Sequence, residues 1–226
     1  EDNIKKGIKR LKNFQTANGG LSYWPGEASD HAWGTNYAGH FMIEAKNKGY
    51  KLPVGFLNNW VKYQRKNANE WVPKSNRYYR HSRRDGEMVQ AYRLYTLALA
   101  KKPALGAMNR MRGTKDLNSL AKWRLAAAYL LAGKGKVANE IILDLTTEVK
   151  GYDKYSYTYG SVERDQAMIL ETMVLMGNKS QAFVLLKELS KKMTSQRWMS
   201  TQTTAYCLLA AAKFIGANDA NSEMEY

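Results

Sequence analysis

The chain has 226 residues, 44% of them apolar, with 35 Lys and Arg against 20 Asp and Glu for a formal charge of +15. That length suits one large domain, or at most two small ones, able to bury roughly 70% of the unfolded surface. The single cysteine, Cys207, excludes an intramolecular disulfide and a cysteine-based zinc site, and no apolar run approaches the roughly 18 residues of a membrane-spanning helix.

Along the chain, apolar residues recur at helical spacing. The pattern predicts helices near 2–15, 35–48, 54–68, 86–100, a short one near 105–112, then 118–132, 135–148, 162–176, 179–192 and 201–215. Ala182, Leu185, Leu186 and Leu189 fall at i, i+3, i+4 and i+7, with lysines on the opposite face. Strand-like alternation is confined to the short polar stretch Tyr152–Tyr159. Gly49, Gly133, Gly177 and Gly216 each follow an apolar run and suit the left-handed position after a helix end. Thr35, Ser161 and Ser200 or Thr201 suit helix starts.

Two kinds of helix alternate. Asp165–Met176 carries no charge after its first residue except Glu171, and Ala205–Ile215 carries only Lys213. A helix apolar all round must be covered all round. Ile4–Phe14, Phe56–Lys66 and Gln181–Lys192 are lysine-bearing and amphipathic, so each can cover such a helix and face water. Three stretches share one order of aromatic, small or hydroxyl residues, apolar helix and glycine, ending at Gly49, Gly177 and Gly216. Their irregular separation argues against a strict solenoid. The predicted class is all-α: an α/α toroid of alternating inner and outer helices, about nine or ten of them, formed by residues 1–226 as one domain. The first residue, Glu1, is not a methionine, so the expectation is a piece of a much larger multidomain protein.

The stretch Asn18–Gly26 reads NGGLSYWPG and joins an outer to an inner helix. Its glycines let the chain turn sharply. Tyr23 and Trp24 are expected to cap the helical core at the rim, and Gln196-Arg197-Trp198 to do the same before the last helix.

Candidate chemistry is sparse. His31, His40 and His81 show no metal-binding helical pair, and His40, inside an apolar helix, reads as a hydrogen-bonded core residue. There is no nucleophile elbow, phosphate loop or dinucleotide fingerprint. Cys207 sits among leucines and alanines and reads as a small hydrophobe. Three carboxylate pairs lie near predicted helix starts: Glu27 and Asp30, Asp85 and Glu87, Glu163 and Asp165. Such a pair can run acid–base chemistry on a glycan when roughly 5–9 Å apart; the plainer reading is acids at helix N-termini, or an ion pair for Arg164 and Asp165. From Lys46 to Arg84 there are eleven Lys or Arg and one acid, Glu70, interleaved with Trp60, Tyr63, Trp71, Tyr78 and Tyr79. That stretch is either a solvated face or a surface for an anionic polymer; no nucleic-acid motif accompanies it. No catalytic residue, metal ligand or cofactor is assigned.

The segments FQTANGGLSYWPG, WGTNYAGHFMIEAKNKGY, QAYRLYTLALA followed by GAMNRMR, YGSVERDQAMIL and RWMSTQTTAYCLLA, in this order, resemble the thioester-domain region of bacterial α2-macroglobulins from about Ile4 to Gly216. The resemblance implies an α/α toroid, without enzymatic activity, inside a secreted or periplasmic endopeptidase inhibitor. Its implied partners are the other domains of that protein and the proteases it traps. Many family members capture the protease through a thioester in a Cys-x-Glu-Gln sequence, which comes before the matched region. Here the only cysteine reads Cys207-Leu208-Leu209-Ala210, so no thioester is expected within 1–226. A labile acyl group must be kept dry, and the residues expected to form a shielding aromatic rim are Tyr23, Trp24, Trp33 and Tyr37. The rival expectations are a glycan-cleaving toroid enzyme and a basic scaffold for an anionic polymer.

Overall fold

A computed structural model describes the backbone of residues 1–73, 80–151, 157–195 and 198–222, and their side chains apart from 80–85 and 219–222. The expectations placed on 74–79, 152–156, Gln196 and Arg197, and on the side chains of His81 and Asp85, lie outside the described residues.

The described residues form ten α-helices: α1 (Asp2–Leu11), α2 (Ala32–Asn47), α3 (Phe56–Glu70), α4 (Arg80–Leu99), α5 (Leu105–Arg112), α6 (Ser119–Leu131), α7 (Gly135–Ile142), α8 (Val162–Leu175), α9 (Lys179–Met193) and α10 (Thr201–Ser222). A 3-10 turn, Lys12–Phe14, extends α1. Among these residues there is no strand beyond an isolated bridge between Gln15 and Leu21. The all-α toroid expected from the sequence is what the chain builds. Even-numbered helices pack in series, α2 on α4, α4 on α6, α6 on α8 and α8 on α10, and odd-numbered helices lie outside them.

Burial follows the two helix kinds. Residues 87–98 of α4 and 163–173 of α8 are buried without interruption, as inner helices covered on every side must be. On α9 only Ala182, Leu185 and Leu189 are buried, the single stripe of an outer helix. α10 departs from expectation. Thr203, Tyr206, Cys207 and Ala210 are buried, but Leu208 is 57% and Ile215 56% exposed. The reason is positional: α10 is the last inner helix, and no later described helix lies over its outer face. Its seam with α2 is bridged by side chains, Lys213 to Glu44 and Tyr206 against Tyr37.

Local signals explain most boundaries. α2, α6 and α8 end in one motif: Gly49, Gly133 and Gly177 take φ of 88°, 72° and 72°, and the next N–H reaches back to Ala45, Tyr129 and Met173 carbonyls at 2.9–3.0 Å. Gly216 stops nothing; α10 runs through it to Ser222, because a glycine in a helix costs only about 1 kcal/mol. Ser161 caps α8 and Ser200 caps α10, accepting from the N–H of Arg164 and Thr203. Thr35 is not a cap. α2 begins three residues earlier at Ala32, His31 Nδ1 accepting from Gly34 N at 3.0 Å. Thr35 is instead buried and binds the backbone of Leu21. α7 stops at Ile142, short of the expected 148; beyond it the Thr146 carbonyl accepts from Trp123 Nε1.

One close approach fixes the ring locally. Gly39 of α2 faces the fully buried indole of Trp60 on α3, where an added Cβ would overlap the ring. The Trp60 Nε1–H donates to the Thr35 carbonyl at 2.9 Å.

Candidate functional site: a charged hub inside the ring and the rim above it

All five inner helices send a polar group to one point. Glu171 of α8 accepts from Arg124 Nη1 of α6 at 2.5 Å through Oε2. Its Oε1 accepts from Tyr95 of α4 at 2.8 Å and from Lys213 Nζ of α10 at 2.6 Å. Lys213 also donates to Glu44 Oε1 of α2 at 2.5 Å. His40, one helical turn before Glu44, places Nε2 3.4 Å from Glu44 Oε1 and 3.8 Å from Glu171 Oε1. Its Nδ1 pairs with the Tyr92 hydroxyl at 2.9 Å, and Tyr206 donates to that hydroxyl. The Arg124 guanidinium lies 3.9 Å from the Tyr95 ring centroid, so its Nε and Nη2, which lack hydrogen bonds, face π-density.

The hub is electrostatically closed. Two carboxylates, Glu44 and Glu171, balance two cations, Arg124 and Lys213. Burial pushes the Glu171 carboxyl up, but Arg124 and Lys213 overcome it and hold it well below the usual range. For Glu44, burial is likewise overcome, by the His40 contact and Lys213, and the carboxyl falls to about 2. Burial lowers Lys213, and the two carboxylates more than reverse this. Burial keeps His40 neutral more strongly than its neighbours charge it. Carboxylates held ionised cannot supply a proton near neutral pH. His40 is thus the hydrogen-bonded core residue expected, and the hub clamps five helices. Sequence reasoning noted Glu171 and Lys213 as lone charges but did not join them to His40 and Glu44; the i, i+4 placement of the latter two on one helix was the available signal.

Above one end of the hub lies the rim, held by buried Arg164. Its Nε and Nη2 donate to Asp165 Oδ1 at 2.9 and 2.7 Å, its Nη1 to the Thr158 carbonyl at 2.5 Å, and its guanidinium lies 4.5 Å from the Trp33 ring. The ion-pair reading of Arg164 and Asp165 is correct. The four expected rim aromatics occupy different depths. Tyr23 and Trp24 meet edge to face at 5.2 Å and stand 49% and 63% exposed, so they do not cap the core. The loop that carries them is braced by backbone and side-chain bonds rather than by burial of its rings: His31 N donates to Leu21 O at 2.7 Å, and Ser22 Oγ to Trp24 O at 2.6 Å. Tyr23 also packs on His31, whose ring lies tilted against Tyr157 at 4.7 Å. Trp33 is buried against Tyr92, and Tyr37 is half-buried against Tyr206, so these two line the way from rim to hub. Trp198 is 84% exposed and caps nothing.

The described acids of the three expected pairs have local partners. Glu163 and Asp165 are first-turn acids of α8, as the plainer reading had it. Asp30 instead accepts from Tyr63 and Asn18, and Glu27 accepts from Trp24 N, so both tie down the loop. Glu87 is no helix-start acid; it lies buried within α4 and accepts from the N–H and side chain of Asn118. Cys207 is buried, its thiol 3.8 Å from the Glu163 carbonyl and pushed up to about 11 by burial. Of the basic stretch, Lys48 and Lys51 join Lys5, Lys9 and Lys12 around a groove of about 700 Å³ floored by Ile8, Leu52 and Pro53.

No protein-family model matches the chain. A protein named alpha-2-macroglobulin from Escherichia coli K12 is 27% identical over 212 residues, covering 91% of this chain and 13% of its own length. One of the same name from Xylella fastidiosa Temecula1 is 24% identical over 214 residues, covering 89% of the chain. The native conformation of the E. coli protein superposes with a TM-score of 0.79 at 26% identity over 92% of the chain. The chain is similar to one region of bacterial alpha-2-macroglobulins. It spans about 13% of the length of these relatives. The trypsin-activated E. coli alpha-2-macroglobulin also matches, with a TM-score of 0.75 at 27% identity. Among the described residues, no helix is long and apolar enough to cross a membrane.

Proposed function

We propose that this chain is the toroidal domain of a longer, extracytoplasmic alpha-2-macroglobulin-like endopeptidase inhibitor, and that it acts as a rigid shield rather than a catalyst. The observation that carries this reading is the match of the same ring to both the native and the trypsin-activated E. coli protein. A unit recognisable in both states is suited to travel as a body when other domains rearrange. The closed hub favours such rigidity, since moving one inner helix away would strand a buried charge.

The ring itself has no Cys-x-Glu-Gln, and Cys207 is buried on α10, so any covalent trapping would use a thioester outside residues 1–226. In this reading Tyr23 and Trp24, exposed on a braced loop, and Trp33 and Tyr37 beneath them form the dry cover of that group until cleavage moves the domains apart. The hub carboxylates are held ionised, and Glu27, Asp30, Glu87 and Asp165 each have a local structural partner, which weighs against the glycan-cleaving alternative.

The test uses the longer protein mixed with a limiting amount of trypsin. A trap blocks digestion of a large protein substrate while leaving cleavage of a small chromogenic peptide largely intact. Equal cleavage of both substrates, with and without the protein, overturns the proposal. Where the longer protein carries a thioester, Tyr23→Ala and Trp24→Ala should speed release of a free thiol by methylamine, and unchanged rates would remove these two residues from the cover.

A further inference from the structure

His40 Nε2 is fully buried, makes no hydrogen bond, and points between two carboxylates. It is 3.4 Å from Glu44 Oε1 and 3.8 Å from Glu171 Oε1. Those same oxygens grip the Lys213 ammonium at 2.5 and 2.6 Å. One donor atom from each of His40, Glu44 and Glu171 lies within 4.8 Å of the other two. We propose that these three side chains form a divalent-cation seat of the zinc class, in which Lys213 is the built-in cation and from which a zinc ion can displace it.

The geometry favours zinc over harder ions. Tetrahedral zinc with nitrogen and oxygen ligands at about 2.0–2.1 Å places neighbouring ligand atoms about 3.3 Å apart. The imidazole-to-carboxylate separation to Glu44, 3.4 Å, lies close to that value; the one to Glu171, 3.8 Å, is wider, so the side chains would draw together around the ion. Calcium and magnesium want six or more oxygen ligands, and a neutral imidazole between two carboxylates is a poor set for either.

The surroundings are those a zinc site needs. Ligating histidines are oriented through their other nitrogen, and ligating carboxylates through their other oxygen. Here His40 Nδ1 meets the Tyr92 hydroxyl, which zinc binding would turn from donor to acceptor, moving the ring proton to Nδ1 and leaving the Nε2 lone pair for the metal. Glu171 is fixed by Arg124 on one oxygen and Tyr95 on the other. There is also a way in. His40 and Glu171 form the closed end, with side chains 3% and 2% exposed, whereas Glu44 and Lys213 are 23% and 22% exposed. Lys213 can therefore swing its flexible stem to solvent and leave a fourth position for water. A zinc ion brings one more positive charge than the ammonium it replaces, which an ionised water ligand would offset.

Because the ammonium competes, wild-type chain should take zinc weakly, and removing the amine should tighten binding at least about tenfold, or 1.4 kcal/mol. The test is calorimetric titration of the metal-free 226-residue chain with zinc chloride, and its absorption spectrum with cobalt(II). Lys213→Ala should bind one zinc per chain, more tightly than wild type, and give the intense visible bands of four-coordinate cobalt. Adding His40→Gln or Glu44→Gln should remove both signals. Lys213→Gln serves if Lys213→Ala does not fold by circular dichroism; if neither folds, wild-type chain at high zinc should show a single site that Glu44→Gln abolishes. The proposal is overturned if the folded Lys213 variants bind zinc no better than wild type, or if binding survives loss of His40 and Glu44.

Discussion

Glu171 and Lys213, the lone charges of two otherwise apolar helical stretches, meet at 2.6 Å in the middle of the ring. A charge buried alone costs several kcal/mol, so each segment tolerates its charge because the ring supplies partners: each other, with Arg124 for Glu171 and Glu44 for Lys213. The pair joins α8 to α10, and through Tyr95, Arg124 and Glu44 it reaches α4, α6 and α2.

Glu171→Gln should therefore be among the most damaging single changes in the chain. It leaves Arg124 buried without its carboxylate and weakens the hold on Lys213, a loss of about 3–5 kcal/mol. Lys213→Met should cost less, because the lysine is partly exposed and Arg124 still neutralises Glu171. Urea unfolding monitored by circular dichroism ranks the two; a Glu171→Gln loss below that of Lys213→Met would show that the hub is not organised around Glu171.

Two glycines should respond with opposite signs to alanine. Gly39→Ala would drive a methyl into the Trp60 indole and should destabilise the ring by about 1–3 kcal/mol. Gly216→Ala meets nothing within 4 Å in mid-helix and should stabilise by about 0.5–1 kcal/mol. Thermal melts of both variants check the pair, and the same sign for both would refute the placement of α2 against α3.

Cys207 should be inert in the folded chain. Burial raises its thiol from 9.0 to about 11. The folded state then holds its proton more firmly than the unfolded state does. This contribution to stability is complete below pH 9 and is lost as pH rises toward 11. Labelling by a thiol reagent at pH 8 should be slow in buffer and fast in urea, and unfolding midpoints should fall between pH 8 and 10.5. Fast labelling of native chain would contradict the burial of α10's inner face.

Arg164→Lys should loosen the rim while leaving the hub intact. A lysine cannot fork onto Asp165, reach the Thr158 carbonyl and cover Trp33 together. Amide exchange at residues 158–161 should quicken, and exchange in α4 and α6 should not. Uniform quickening would mean that rim and hub unfold as one unit.

Fold class, inner–outer alternation and most helices were legible because each rests on local periodicity or on a glycine stop. Failures came where a distant residue decided the outcome. Thr35 looked like a cap, but the backbone of Leu21 claims it, and His31 caps α2 instead. Tyr23 and Trp24 looked like buried plugs because bulky rings beside glycines suggest cover, yet the loop is braced by Leu21, Ser22 and Asp30 and leaves both rings partly exposed. The hub was half visible. Glu171 and Lys213 stood out as lone charges, and His40 and Glu44 lie one turn apart, but their convergence depends on closure of the ring across the whole chain.

The claim that matters most is that the ring is a rigid shield which parts from a neighbour upon proteolysis. Amide exchange of the longer protein, measured before and after limited trypsin cleavage, tests it directly. Exchange should stay slow across α4, α6 and α8 and rise in the loops 21–31 and 157–161. Loss of protection in the inner helices, or no change at those loops, would contradict the account.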